Sequence, residues 1–113
     1  MQIDTRLIDD MTVIDMTGRL DTSTSADAND EMVRIAKSDV SKVILNLEKM
    51  EYVSSAGLRV ILTASKLLKS SNGEMKICQA NGVVKEVLET SGFDHIIDIH
   101  DHENDAIEAF GKS

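Results

Sequence analysis

Hydrophobic and polar positions change rhythm several times along the chain, and each change marks a predicted element. QIDTRLIDD and MTVIDMTG are short, β-prone stretches separated by the acidic pair Asp9-Asp10. That pattern predicts an opening hairpin or near-hairpin that Gly18 ends. In DTSTSADANDEMVRIAKS, several Ser, Thr and Asp residues able to cap a helix precede Ala28, Met32, Ile35 and Ala36 at near-helical spacing, so a helix follows. KVILNLE has no alternation. Its continuous apolar run of strand length predicts a central strand covered on both faces.

After VSSAG, Leu58, Ile61, Leu62, Ser65 and Leu68 recur at helical spacing, with Lys66 and Lys69 toward the end and Gly73 as the C-terminal cap. EMKICQ predicts another strand. GVVKEVLETSG predicts a helix with Val84, Val87, Leu88 and Ser91 on one face, stopped by Gly92. HIIDIH and ENDAIEAFG close the chain as strand and helix. The succession describes an α/β sandwich: a mixed β-sheet of about four to five strands packed with about four helices. With no proline, no low-complexity linker and no fixed-period repeat, residues 1–113 are expected to form one domain.

Composition narrows the function classes. A chain of 113 residues with 42% hydrophobic content can bury a single core. Its longest apolar runs, VILNL and RVILTA, fall short of the about 20 residues a membrane span needs. The N-terminal MQIDTRLIDD lacks a basic start and an apolar signal core, so a cytoplasmic protein with no membrane association is expected. Twelve basic against twenty acidic residues leave a formal charge of −8, without the basic patch of a nucleic-acid binder. A protein or small molecule is the expected partner. Cys78, the single cysteine, permits no internal disulfide, and its place between Ile77 and Gln79 predicts a buried small hydrophobe.

Candidate chemistry is sparse. His95, His100 and His102 stand among Asp94, Asp98, Asp101, Glu103 and Asp105, yet DIHDHENDA has neither the alternating oxygens, central Gly and closing Glu of a calcium loop nor the fixed His spacing of a zinc site. No metal or cofactor is expected. SSAG is not a nucleophile elbow, and the glycines are dispersed like turn markers instead of forming a phosphate cradle. The chain is therefore not expected to be an enzyme.

One stretch resists a purely structural reading: Ser54, Ser55, Ala56 and Gly57, where an extended run gives way to a helix. A serine there caps free N–H groups for about 1 kcal/mol. A glycine in the first helical turn costs about 1 kcal/mol relative to alanine, which points to a close backbone approach.

VILNLEKMEYVSSAGLRVIL resembles the strand–loop–helix signature of bacterial anti-sigma-factor antagonists, the STAS domain family. GRLDTSTS is similar to that family's Gly-x-Leu-Asp loop, and GEMKICQANGVVKEVLETSGFDHIIDI to its following strand, helix and last strand. The resemblance implies a STAS-like fold over nearly the whole chain and a phosphorylation switch in bacterial signalling. In that family, the unphosphorylated domain binds an anti-sigma factor that is also a serine kinase, and so frees a sigma factor. Phosphorylation ends the binding and a serine phosphatase resets it. Position by position, the phospho-acceptor falls on Ser55, with Ser54 as the alternative, the glycine on Gly57 and the loop acid on Asp21. The implied partner surface comprises Asp21, Thr22, Ser23, Ser54, Ser55, Ala56, Gly57 and Arg59. A monomer or weak dimer is expected. Two positions depart from the pattern: Ser54 stands where an acid is common, and Arg59 where a small glycine is frequent. The competing reading is a STAS-like ligand-binding or scaffold module without a phosphorylation cycle.

Overall fold

The computed structural model describes residues 1–111. Strand β1 (Gln2–Ile8) pairs antiparallel with β2 (Met11–Leu20), closing at Ile8 opposite Met11. The two-residue turn between them holds Asp9 at φ 54°, a left-handed conformation that aspartate tolerates. Next come α1 (Ser25–Ala36), β3 (Lys42–Asn46), β4 (Met50–Val53) and α2 (Ser55–Ser70). The chain continues through β5 (Glu74–Cys78), α3 (Gly82–Thr90), a 3-10 turn (Phe93–His95), β6 (Asp98–His100) and α4 (Glu103–Gly111). The strands form one six-stranded mixed sheet in the order β1-β2-β3-β5-β6, with β4 paired to β2 outside that row. All pairings except β1 with β2 are parallel.

Burial on two faces explains the apolar run of β3. Val43 and Leu45 join Ile14, Met16, Met75 and Ile77 beneath α1, α2 and α3, while Ile44 faces the other way with Met11, Val13 and Cys78 under Ala106 and Phe110 of α4. Each fully buried Leu, Ile or Met side chain is worth about 1.5–3 kcal/mol. Lys76 sits at the rim of the second layer, 93% buried as a residue by its 7% exposure. Its ammonium bonds Glu74 and Asp98 at 2.9 Å each and lies 4.8 Å from the Phe110 ring centre. Burial opposes the charge, but these carboxylates outweigh it and leave the Lys76 pKa raised.

Five local expectations change. A sixth strand exists, because MEYV is too short to show a period of its own and forms only by pairing with the end of β2. Gly18 does not end β2: at φ +104° it admits a register shift, and the strand runs on to Leu20. The helix stop after α2 is Asn72 at φ 66°, while the N–H of Gly73 donates to the Leu68 carbonyl at 2.7 Å. Gly73 is needed for a different reason, since a Cβ there would lie 2.8 Å from the Ser41 carbonyl oxygen. HIIDIH is strand only over Asp98–His100, because the Ile96 and Ile97 N–H groups donate to the Phe93 carbonyl in a tight turn. On α2 the buried stripe is centred on Gly57, Val60, Ile61, Ala64, Ser65 and Leu68, which puts Leu58 and Leu62 on its half-buried shoulders.

Burial of Cys78, chiefly by desolvation, pushes its thiol pKa up to about 12. A disulfide reagent at pH 8 is expected to leave the native chain unlabelled over minutes and to label it fully in denaturant. Rapid native labelling, read by absorbance, contradicts this packing.

Candidate functional site

Two parallel strands carry the site. Leu20 at the end of β2 is the register partner of Val53 at the end of β4, so the segments that follow, Asp21–Thr24 and Ser54–Gly57, leave the sheet at the same end. Ser54 joins them through its backbone. Its N–H donates to the Leu20 carbonyl at 2.9 Å, and its own carbonyl accepts the Leu58 N–H at 2.8 Å to begin α2. Its side-chain oxygen accepts the Gly57 N–H at 3.2 Å, so Ser54 is the N-cap. All of its polar groups except one donor proton are thereby spent on seating the helix.

Gly57 explains its own cost. A Cβ at this position would lie 2.6 Å from the Leu20 carbonyl oxygen, 2.8 Å from Leu20 Cγ and 2.9 Å from Val53 Cγ2. The first turn of α2 is pressed onto the ends of both strands, and only a hydrogen fits between.

Ser55 is left with nothing structural to do. It is exposed as the first helical residue, and its hydroxyl bonds to no other group among the described residues. The first turn of α2 contains no acid. Arg59, four residues on, is exposed and forms no ion pair with any described carboxylate. Ala56 is half-buried between them. Residues i and i+4 are neighbours on a helix surface, so Arg59 lies one turn behind Ser55 on α2.

Asp21 organises the facing loop. Its carboxylate accepts the Ser23 hydroxyl at 2.7 Å and the Ser23 N–H at 3.0 Å. The Ser23 hydroxyl is the main cause holding the Asp21 carboxyl below the usual carboxylate range. Thr22 and Ser23 are exposed at the tip. The structure thus brings Asp21, Thr22 and Ser23 to the same end as Ser54, Ser55 and Gly57, but no hydrogen bond joins Asp21 to Ser55.

Residues outside the predicted set complete the scaffold. The Thr24 hydroxyl donates to the Arg19 carbonyl at 2.9 Å and accepts the Asp21 N–H at 2.9 Å, closing the loop. The Arg19 guanidinium lies 4.6 Å from the Tyr52 ring centre and 3.6 Å from the Asp21 carboxylate. Asn81 at the start of α3 donates to the Met50 carbonyl at 3.0 Å. Of these contacts, Arg19 with Tyr52 and Asn81 with Met50 join distant segments, and no spacing along the chain announces them.

The largest cleft lies elsewhere. It holds about 640 Å³ between the first hairpin and α4, where Arg6 bonds Asp15 at 2.6 and 2.9 Å and Glu103 at 2.6 Å. Asn46 donates to Glu103 at 2.9 Å. These groups satisfy one another and hold the start of α4, and Arg6 foremost keeps the Glu103 carboxyl below its usual range. Among the described residues, no buried side-chain nitrogen or oxygen lacks a partner, and no three His, Cys, Asp or Glu residues gather as metal ligands. No described helix is long and apolar enough to cross a membrane.

The model of the STAS domain matches residues 2–106. The chain is 33% identical over 101 residues to the anti-sigma F factor antagonist of Paenibacillus polymyxa, covering 84% of this chain and 82% of that protein. It is 32% identical over 103 residues to BtrV of Bordetella bronchiseptica, covering 91% and 89%. Among solved structures it is similar to the anti-sigma factor antagonist SpoIIAA in its unphosphorylated form, with a TM-score of 0.79, 19% identity and coverage of 99% and 98%. The Bacillus SpoIIAA structure in its phosphorylated form gives a TM-score of 0.71, 18% identity and coverage of 96% and 99%.

Gly57→Ala is expected to destabilise the fold. Alanine gains about 1 kcal/mol of helix propensity, but the clash is with a backbone oxygen and overpacking of this kind costs about 1–3 kcal/mol. Urea unfolding followed by circular dichroism is expected to show a lower midpoint, and an unchanged or higher one contradicts the close approach.

Proposed function

The chain belongs to the STAS domain family, and we propose that it acts there as an anti-sigma-factor antagonist switched by phosphorylation of Ser55. The observation that carries this reading is the division of labour between two serines. Ser54 is committed to the helix cap, while the Ser55 hydroxyl is exposed and bonds to no other described residue. Ser55 is therefore favoured over Ser54 as acceptor, even though Ser54 stands where the family resemblance places an acid.

In the unphosphorylated state the end formed by Asp21, Thr22, Ser23, Ser55, Ala56 and Arg59 binds an anti-sigma factor, which is also the serine kinase, and so frees its sigma factor. The kinase transfers the terminal phosphoryl group of ATP to the Ser55 oxygen, and the hydroxyl proton leaves to a base of the kinase. A serine phosphatase reverses the step. This chain is the substrate of both enzymes and catalyses neither reaction.

Helix polarity explains why the fold survives the change. Unpaired N–H groups and the positive end of the helix dipole accommodate an anion at α2. Phosphate adds about −1.5 to −2 charge at pH 7 to a chain already at −8. Pressing that anion against a partner's carboxylates costs about 3 kcal/mol or more, over a hundredfold in affinity. Release follows from surface charge alone.

Incubation with the anti-sigma factor kinases of the source organism and ATP is expected to add one phosphate, located at Ser55 by peptide mapping. Ser55→Asp is expected to keep its circular dichroism spectrum and bind the anti-sigma factor more weakly. Phosphate on Ser54 with Ser55→Ala still accepting, or full binding by Ser55→Asp, refutes the reading.

Arg59 is expected to pair with the phosphate through a charge-assisted hydrogen bond. In a phosphorus NMR titration, Arg59→Gln is expected to raise the second phosphate pKa, since a nearby cation favours the dianion. Identical titration curves exclude the pair.

A further inference from the structure

Arg19 lies where three connections meet. The register shift between Gly18 and Arg19 makes Tyr52 its cross-strand partner, and the guanidinium stacks over that ring at 4.6 Å. Its Nε lies 3.6 Å from the Asp21 carboxylate. Its backbone carbonyl accepts the Thr24 hydroxyl that closes the Asp21 loop. Tyr52 in turn stands two residues before Ser54 on β4, so the stack ties the two loops of the site together across the strands.

The core does not need this pair. Leu20 and Val53 bury the inner side of the same strand ends, at 0% and 1% exposure, while the Arg19 side chain is 58% exposed. A planar guanidinium can rest on an aromatic face and reach a carboxylate at once, which a lysine ammonium cannot do in the same way. The pair joins the next-to-last residues of β2 and β4, an exposed guanidinium on a half-buried ring, just before the two loops of the site.

We propose that Arg19 and Tyr52 are positioning residues of the partner surface: their stack holds the Asp21–Thr24 loop in one geometry relative to the Ser54–Gly57 turn. The proposal rests on the reading that this end binds an anti-sigma factor. Holding both loops in place before encounter removes an ordering cost from binding. Asp21 touches the partner, whereas Arg19 and Tyr52 act through it.

The test is calorimetric titration of the full chain with the purified anti-sigma factor that binds it, using Arg19→Ala, Arg19→Lys, Tyr52→Ala, Tyr52→Phe, Asp21→Asn and the double variant Asp21→Asn/Tyr52→Ala. Arg19→Ala and Tyr52→Ala are each expected to lose about three- to fivefold in affinity, as befits a cation–π contact whose cation is exposed. Tyr52→Phe retains affinity because the ring supplies the contact, and Arg19→Lys does not restore it. The losses of Asp21→Asn and Tyr52→Ala are expected to be non-additive, because Tyr52 reaches the partner only by way of Arg19 and Asp21. A merely structural role lowers the melting temperature and leaves the two effects additive. Additive losses, or full affinity in Arg19→Ala, overturn the proposal. Ser55→Asp is measured alongside: if it binds as tightly as the parent, or the parent binds no anti-sigma factor, the functional reading fails. If Ser55→Asp weakens binding while Arg19→Ala does not, positioning alone fails.

Discussion

The seating of α2 on the carbonyl of Leu20 is the constraint on which the site depends. That oxygen accepts the Ser54 N–H at 2.9 Å, and a Cβ on Gly57 would lie 2.6 Å from it. One backbone atom therefore sets both where the helix begins and how closely it approaches the sheet. Ser54 must cap, Gly57 must lack a side chain, and Ser55 is turned outward as a consequence. The chemistry of the serine follows from a packing requirement two residues away.

The sheet supplies the rigid background. Beneath α1, α2 and α3 it presents the larger apolar layer, and beneath α4 a smaller one closed by Ala106 and Phe110. At the margin of the smaller layer, charge holds what apolar area does not: Lys76 between Glu74 and Asp98, and Arg6 between Asp15 and Glu103. The largest cleft belongs to this second system, whose polar groups are spent on one another. A smaller hollow of about 380 Å³ borders the candidate surface at Ser23 and Thr24.

Much of the fold was legible along the chain because its signals are local. The stripe of α1 at Ala28, Met32, Ile35 and Ala36 is buried as its spacing requires, and the unbroken apolar run of β3 occupies the centre of the sheet. Strand β4 was not legible. Four residues carry no usable period, and their hydrogen bonds come from the far end of β2, a strand more than thirty positions earlier. The stop of α2 was misplaced by one residue for a related reason: glycine is the commoner left-handed residue, but here Asn72 takes that conformation and frees Gly73 to approach Ser41.

The candidate site divides in the same way. Ser54, Ser55, Ala56 and Gly57 were readable as a strand-to-helix junction with one unexplained glycine, and resemblance added Asp21, Thr22, Ser23 and Arg59. Residue order by itself determined the alternation of elements, the capping chemistry and the need for a small residue at position 57. Tertiary structure alone decided which serine is occupied, what Gly57 avoids, and that Arg19 reaches Tyr52 and Asp21 together. The physical reason is range: helical spacing and capping act over a few neighbouring residues, whereas strand register and close approach depend on atoms that folding brings together from separate parts of the chain.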